Sequence, residues 1–243
     1  MSRTAARAFD LFEAAIYSSS PLGLMDLVEL TGVDKSTTQR LLVFLVERGL
    51  LTKDELSKQY KAGPGAFAMA AAIGARSDIR ALVAPQLRPL RDLSGETISL
   101  HLAVGGRRVC VDGAESDEII RRVVPLGESL PLYQGPSGKA ILAYVPSSEA
   151  EALYDSGKLG KAERQRIERD LVRMREQGYL LTEGDRSPGV RAVSAPIFGV
   201  RGVMASLTIA GPSERWTEAK ARSCVLALIE ATTAISRSLG GKS

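Results

Sequence analysis

Residues 31–51, TGVDKSTTQRLLVFLVERGLL, begin with small polar and basic side chains and continue as an almost wholly apolar segment. Asp34 suits the start of a helix, because its carboxylate can accept hydrogen bonds from first-turn amides, and Gly49 suits its end. The spacing predicts an inward stripe of Val33, Thr37, Leu41, Leu45 and Arg48. The start of this helix then presents hydrogen-bond donors that can reach phosphates or base edges: Lys35, Ser36, Thr38, Gln39 and Arg40.

The flanking residues complete a recognisable unit. Apolar spacing predicts one helix over 4–17 and a second over 24–30, which Gly32 ends just before the helix that starts after Asp34. Two short strands are expected at 50–53 and 59–62, and three lysines here are the expected phosphate contacts: Lys53, Lys58 and Lys61. This order is typical of a winged helix-turn-helix.

An ordinary three-helix subdomain with a polar surface is the alternative. Residues 1–64 carry eight basic and eight acidic side chains, so the net charge of +4 for the whole chain does not itself point to DNA. The segment from Lys35 to Glu47 nevertheless holds no carboxylate before its last residue, whereas a solvated face usually mixes both signs. The placement of the charges therefore favours DNA binding.

The composition is that of a globular protein. A chain of 243 residues with 44% hydrophobic content can fill a core. No apolar run has the length of a membrane span, and the first residues turn acidic at once, so we expect a cytoplasmic protein without a membrane partner. Cys110 and Cys224 each lie in an apolar run and are expected to be buried free thiols.

The rest of the chain predicts a larger α+β domain. Residues 66–75, AFAMAAAIGA, are apolar nearly all round, which indicates a linker helix that packs against a second subunit. A helix interrupted by two prolines follows over 78–92. Strands are predicted at 97–104, 108–112, 179–182, 191–198 and 203–210, and helices at 138–144, 149–154, 163–177 and 217–239. The predicted domains are 1–64, 65–79 and 80–243.

Short motifs in the same order as this architecture resemble those of the IclR family of bacterial transcriptional regulators. They are RAFDLF at 7–12, TGVDKST at 31–37, RLL at 40–42, ERGL at 47–50, YKAG at 60–63, GKA at 138–140, GY at 178–179, GVR at 189–191, AP at 195–196 and GP at 211–212. The resemblance implies a winged helix-turn-helix, a linker helix and a GAF-like effector-binding domain with an antiparallel sheet. It also implies homodimers that can pair again as homotetramers, bound to palindromic double-stranded DNA.

The resemblance also implies an effector pocket. Its expected residues are Tyr133, Gly135, Ser137, Gly138, Thr182, Ala192, Ser206 and Thr208. The family often has polar groups at the positions of Thr182, Ala192 and Ala210, so we expect a less polar pocket here. The free amides at the start of the helix that begins within 135–139 would hold a carboxylate or carbonyl effector, aromatic or otherwise partly apolar, without a charged side chain.

Other functions remain as alternatives at this stage. One is an enzyme, or a ligand-sensing module, that uses the α+β domain and keeps a vestigial helix-turn-helix. An enzyme would need a nucleophile or base with an orienting partner, and the only histidine, His101, is expected to be structural. Gly138-Lys139 fails as a phosphate-binding loop because Tyr133 replaces a required glycine and Ala140 a required hydroxyl. We expect no catalytic residues, metal or cofactor.

Overall fold

The computed structural model describes residues 3–18, 20–75 and 78–241. The chain divides into two compact units, Met1–Ser77 and Asp78–Ser243. The predicted domain boundaries after residues 64 and 79 stay predictions.

The first unit is a helix-turn-helix with a small β-hairpin wing. Its elements are α1 (Arg3–Tyr17), α2 (Leu24–Thr31), α3 (Lys35–Glu47), β1 (Leu51–Lys53), β2 (Tyr60–Ala62) and α4 (Pro64–Ala75). The core joins α1, α2, α3 and the wing through Leu11, Leu27, Leu42 and Leu51, which are almost completely buried. β1 and β2 pair antiparallel, with Thr52 opposite Lys61. The predicted winged helix-turn-helix is confirmed.

The turn between α2 and α3 depends on one glycine and one aspartate. Gly32 has a φ of 66°, which favours glycine, and its amide donates to the carbonyl of Val28 at 2.9 Å. Asp34 accepts a hydrogen bond from the Thr37 amide at 2.9 Å and so caps α3. These two residues end one helix and start the next within three positions, as the sequence predicts.

The inward face of α3 differs from the predicted stripe. Thr38 and Leu42 are wholly buried, whereas Thr37 is only half-buried. Arg48 is exposed, and its guanidinium lies over the Phe44 ring, 5.4 Å from the ring centre. The expected positions of Thr37 and Arg48 in the core were therefore wrong, because the buried face of α3 is turned by about one residue toward Thr38.

α4 confirms that the linker is helical. Its side chains are largely exposed within this unit, with Phe67 66% and Met69 58% exposed. Residues 76 and 77 of the predicted 65–79 linker lie outside the described residues.

The second unit is an α/β domain built on a six-stranded antiparallel sheet. Its helices are α5 (Asp78–Ser94), α6 (Gly135–Leu142), α7 (Ser147–Ser156), α8 (Lys161–Gln177), α9 (Glu218–Ser223) and α10 (Val225–Ser238). Its strands are β3 (Thr97–Val104), β4 (Arg107–Ala114), β5 (Ser129–Pro131), β6 (Leu180–Glu183), β7 (Val190–Gly199) and β8 (Gly202–Pro212). The strand order is β5-β4-β3-β8-β7-β6.

Three details of this unit differ from expectation. β5 is an additional strand of three residues at the sheet edge. The predicted final helix is divided at Cys224, which ends α9 and precedes α10. α5 continues through Pro85 and Pro89, which are both exposed on its surface.

Helices cover both faces of the sheet. α5 and α10 pack on one face against alternate strand residues, among them Ile98, Leu207 and Val193. α6, α7 and α8 form a second apolar cluster on the other side. The intervening strand residues, which point toward α6, are mostly small or polar, so the sheet has a dry apolar face and a face suited to a polar site.

A bulge between β3 and β4 moves Asp112 away from this polar face. The pairing steps from Leu100 opposite Asp112 to His101 opposite Cys110, so Val111 is the extra residue. Asp112 therefore lies on the α5 side, where it pairs with Arg80. Arg108 lies before the bulge, opposite Ala103, and so shares the face of His101.

Candidate DNA-binding surface and effector cavity

The start of α3 presents four of the predicted DNA-binding side chains to solvent. Lys35, Ser36, Gln39 and Arg40 are exposed. The Ser36 hydroxyl donates to the Asp34 carboxylate at 2.8 Å. This bond and that from the Thr37 amide lower the pKa of Asp34 to about 2, with the backbone bond as the larger cause. The Asp34 carboxylate is thus held by hydrogen bonds at the start of α3, and the donor side chains beside it remain exposed to solvent.

Thr38 does not belong to this surface. Its side chain is wholly buried, and its hydroxyl donates to the carbonyl of Val33 at 3.2 Å. The inclusion of Thr38 among the DNA contacts was wrong, because a hydroxyl in the core of the unit cannot reach a base or phosphate.

The wing carries the three predicted lysines in different settings. Lys53 has its ammonium 5.9 Å from the centre of the Tyr60 ring, and Lys61 is exposed on the opposite strand. Lys58 forms a 2.9 Å surface salt bridge with Glu55. Such an exposed pair contributes little to stability, so a phosphate can replace the carboxylate.

A cavity of about 50 Å³ lies between the polar face of the sheet and the start of α6. The sheet contributes Ser99, His101, Arg108, Thr182, Val190, Ala192, Thr208 and Ala210. The remaining wall comes from α6 and two loops: Gly135, Pro136, Ser137, Arg122, Val124, Asp185, Arg186 and Ser187.

The amino terminus of α6 forms one end of the cavity. Gln134 precedes the helix and makes no side-chain cap, so no side chain occupies the position where an anion would accept from the first amides. The Ser137 side chain is 4% exposed and lies at this end. The predicted carboxylate contact at this helix start stays a prediction.

Five of the predicted effector residues line the cavity together: Gly135, Ser137, Thr182, Ala192 and Thr208. Three others do not. The Tyr133 hydroxyl packs against the backbone of Gly157. Gly138 packs so closely on the Leu132 carbonyl that an added Cβ would lie 2.4 Å from the oxygen. The Ser206 hydroxyl donates to the carbonyl of Ser137 at 2.8 Å. These residues shape the wall from behind, and their direct contact with the cavity was wrongly expected.

Arginines make the cavity far more cationic than the sequence prediction allows. Arg108 is 3% exposed, and its Nη1 donates to Nδ1 of His101 at 2.9 Å. Nη1 also lies 3.8 Å from Glu128. Arg186 donates twice to Glu128, at 2.7 and 2.9 Å. The expectation of an anion site without charged side chains was therefore wrong.

The buried charges explain the state of His101. Because an arginine side chain can only donate hydrogen bonds, Nδ1 of His101 is the acceptor and Nε2 carries the proton. Nε2 donates this proton to Ser99 Oγ, and the two atoms are 2.9 Å apart. Burial, followed by repulsion from Arg108, holds the pKa of His101 well below 6.5. His101 is therefore a neutral positioning group on the cavity wall, not an ordinary core histidine.

Two guanidinium groups at the cavity have hydrogen-bond donors without a protein acceptor among the described residues. Nε of Arg108 is buried without a hydrogen-bond partner. Burial also lowers the pKa of this group to about 10, which leaves it charged near neutral pH. Arg122 is half-buried and makes neither a hydrogen bond nor a salt bridge within residues 3–18, 20–75 and 78–241. Buried donors are usually satisfied, so Nε of Arg108 points to a ligand, and Arg122 adds a second, half-buried cation beside it.

A buried ion cluster fixes the wall behind α6. Lys139 is 1% exposed, and its ammonium lies 2.7 Å from both Asp170 and Asp185. Exposed Arg173 and Arg166 also contact these two carboxylates. Because Asp185 belongs to the cavity loop, Lys139 joins α6, α8 and that loop. The Gly138-Lys139 pair thus serves the architecture of this wall.

Neither thiols nor metal ligands account for the site. Cys110 and Cys224 are buried and free, as predicted. Burial raises the pKa of the Cys110 thiol to about 11. Across the described residues, no group of three or more His, Cys, Asp or Glu side chains could hold a metal, and no helix is long and apolar enough to cross a membrane.

Family models match both parts of the chain. The IclR helix-turn-helix domain matches residues 4–55, and the model described as "Bacterial transcriptional regulator IclR C-terminal" matches residues 71–237. The second match alone covers more than half of the chain.

Curated relatives agree with these matches. The HTH-type transcriptional regulator BhcR of Paracoccus denitrificans is 31% identical over 95% of this chain and 85% of its own length. The transcriptional repressor IclR of Escherichia coli is 25% identical over 97% of this chain and 89% of its own length.

Solved structures have the same fold. A putative IclR transcriptional regulator from Silicibacter superposes with a TM-score of 0.88 at 27% identity, covering 98% of this chain and 97% of its own. An IclR homolog from Microbacterium hydrocarbonoxydans, complexed with 4-hydroxybenzoate, has a TM-score of 0.76 at 18% identity, with 98% and 99% covered, and supports the fold alone. The chain therefore belongs to the IclR family of DNA-binding transcriptional regulators, which are not enzymes, and carries that family's effector-binding domain.

Proposed function

We propose that this protein controls a catabolic operon in the cytoplasm by binding a palindromic double-stranded operator and responding to a small organic acid. The observation that carries the effector half is the pairing of a buried, incompletely bonded Arg108 with an uncapped helix start in one cavity. Both features favour an oxygen anion.

The proposed DNA contacts are the exposed start of α3 and the wing. Arg40 and Gln39 can read base edges in the major groove, and Lys35 and Ser36 can bind the backbone. Lys53, Lys58 and Lys61 are the proposed wing contacts to phosphates. The support is that all seven carry donors at or near the surface and that Asp34 is committed to capping.

The proposed assembly is a homodimer through the first unit, which can pair again as a tetramer. The support is an apolar surface groove whose lining includes Phe9, Phe12, Phe44 and Met69. Phe9 is 67% and Phe44 45% exposed in the single chain. Burial of such a surface favours association, and two-fold symmetry matches a palindromic operator.

The proposed effector is a compact carboxylate or carbonyl compound. A cavity that holds benzene measures about 150 Å³, whereas this one measures about 50 Å³. The cavity as it stands therefore favours the smallest acids, and an aromatic acid would require its walls to move further apart. Gly135 and Ser137 lie at the anion end, and Thr182, Ala192 and Thr208 line the sheet side.

A band-shift assay on genomic fragments that flank the gene tests the DNA half. We expect binding to a fragment with an inverted repeat, and affinity that falls steeply with salt. Replacing Lys53, Lys58 and Lys61 together with glutamine should reduce the salt slope. A matched control replaces three exposed lysines of the second unit, Lys158, Lys161 and Lys220, with glutamine and should leave the slope unchanged. An unaltered slope in the wing variant would remove the wing from the interface.

A thermal-shift screen of the full chain against small catabolic acids and their amides tests the effector half. An acid that stabilises the protein should also change the DNA affinity, provided that it binds the two DNA-affinity states unequally. Ser137→Trp should fill the cavity and abolish the shift. If no acid stabilises the protein, the second unit is not an acid sensor.

A further inference from the structure

The charges around the effector cavity do not balance. Arg108, Arg122 and Arg186 all line it. Glu128 is bonded to Arg186 and lies 3.8 Å from Arg108, and Asp185 is bonded to Lys139 at 2.7 and 2.8 Å. Within the part of the chain that the structure describes, Asp185 is the one acidic side chain that lines the cavity. Glu128 balances one of the three guanidinium charges, so two positive charges remain uncompensated.

We propose that the effector is a compact dianion, with one anionic group held by Arg108 and the start of α6 and the other by Arg122. This inference rests on the acid-sensing function proposed above and specifies its ligand class. A small dicarboxylate has the required charge.

The first anion position has three independent supports. Arg108 is almost wholly buried, and its Nε has no partner. Its Nη2 lies 4.0 Å from the position that a Cβ on Gly135 would take, so the guanidinium is beside the first residue of α6. No side chain caps that helix. A carboxylate there would accept from a guanidinium and from helix amides together.

The second position is defined by Arg122, which reaches the cavity from the connection between β4 and β5. Its guanidinium makes no hydrogen bond or salt bridge within the described ranges, and partial burial, followed by repulsion from Arg186, lowers its pKa. A monoanion at Arg108 would leave this cation partly desolvated and uncompensated. His101 cannot serve as a further cation, because it is neutral and bonded to Arg108 and Ser99.

The size of the cavity limits the separation of the two groups. Because the cavity measures about 50 Å³, its walls must move apart for any dicarboxylate, and least for one whose anionic groups are joined by a very short backbone. Malonate and succinate are therefore suitable probes, and their semi-amides malonamate and succinamate are matched in shape but carry one negative charge. The comparison isolates the second charge.

Isothermal titration of the full chain at constant ionic strength tests the proposal. We expect the better dicarboxylate to bind about tenfold or more tightly than its semi-amide, because a hydrogen bond to a charged group exceeds one to a neutral group. Arg122→Gln should reduce this ratio to nearly one by weakening the dicarboxylate alone. Arg121→Gln is the matched control, since Arg121 is exposed, pairs with Glu115 and does not line the cavity.

The outcomes separate the two proposals. Semi-amides that bind as tightly as dicarboxylates overturn the dianion proposal and leave acid sensing intact, as does a ratio that survives Arg122→Gln. If neither these probes nor the wider set of acids binds, both proposals fall. The folding of Arg122→Gln is checked by its unfolding midpoint, which we expect at or above that of the wild type because the replaced charge is repelled by Arg186.

Discussion

The start of α3 and the effector cavity use the same chemical groups in opposite surroundings. On α3 the exposed donors lie within six consecutive positions, and one of them, Ser36, also bonds to the capping Asp34. In the cavity, comparable donors are buried or half-buried, come from positions as far apart as Ser99 and Thr208, and include arginines that bond to other charged or polar side chains. Substitutions of Gln39 or Arg40 should therefore alter binding without altering stability, whereas substitutions around the cavity should alter both.

Lys139→Met is expected to have the largest effect on stability. It would leave Asp170 and Asp185 buried with only exposed arginines as partners, and the loss of one member of a buried ion pair costs about 3–5 kcal/mol. Urea unfolding followed by fluorescence measures it, because the single tryptophan, Trp216, is 1% exposed within the same unit.

Lys161→Met provides the control for this measurement. Lys161 is exposed at the start of α8, so its replacement should change the unfolding free energy by less than about 0.5 kcal/mol. A loss below about 1 kcal/mol in Lys139→Met would contradict the view that buried charges support the cavity wall.

Arg40→Ala should weaken specific DNA binding by about 1–3 kcal/mol without a change in the unfolding midpoint, because Arg40 is exposed and bears no packing role. The measurement is a titration with the operator and with a scrambled duplex. Thr38→Val is the matched comparison: its buried hydroxyl bond should cost about 1 kcal/mol of stability, and base preference should not change. A change of preference in Thr38→Val would place that residue at the interface after all.

The pH dependence of stability should distinguish His101 from any exposed group. Its pKa in the folded protein is held well below 6.5 by burial and by Arg108, so below about pH 6.5 only the unfolded chain binds the proton. The stabilising contribution is complete above that pH and falls below it by up to about 1.4 kcal/mol per pH unit.

His101→Gln should remove this dependence, because the amide can still accept from Arg108 and donate to Ser99. Trp216 fluorescence during urea unfolding at several pH values between 7 and 5 provides the comparison. Equal slopes for the two proteins would mean that His101 becomes protonated in the folded state.

The contrast between the start of α3 and the cavity also explains which features can be predicted from the sequence. The caps and turns of the first unit depend on residues next to one another, and Asp34 and Gly32 have the predicted roles. The alternation of Ile98 and Leu100 with Ser99 and His101 correctly divides the faces of β3. Thr38 shows the limit of reasoning from helical periodicity. Adjacent helix positions differ by about 100°, so an error of one residue in the predicted buried face assigns a buried hydroxyl to the surface.

The cationic character of the cavity was only partly within such reasoning. Arg108 is opposite Ala103 in the regular register that follows the Gly105-Gly106 turn, so alternation alone could have assigned it to the face of His101. Arg122 and Arg186 come from loops that carry no periodic signal. The available signal was Arg108, a charged residue next to the apolar residues 109–111 of β4. The three-residue strand β5 pairs only with β4, so its sequence carries too little pattern to predict it.

The smallest expected effect concerns the cap of α3. Asp34 has its pKa lowered from 3.8 to about 2, chiefly by the Thr37 amide and then by Ser36. A carboxyl with a depressed folded pKa stabilises the folded state above the unfolded value, and this contribution is lost as the pH falls from about 4 toward 2. Asp34→Asn keeps a good helix cap but cannot ionise. Unfolding followed by the helical circular-dichroism signal should therefore give midpoints that differ between wild type and variant by a constant amount above pH 4. Below pH 4 the midpoint of the wild type should fall relative to that of the variant. If the difference between the two stays constant down to pH 2, the charge of Asp34 contributes nothing to the cap, and the exposed start of α3 is independent of electrostatics within its own unit.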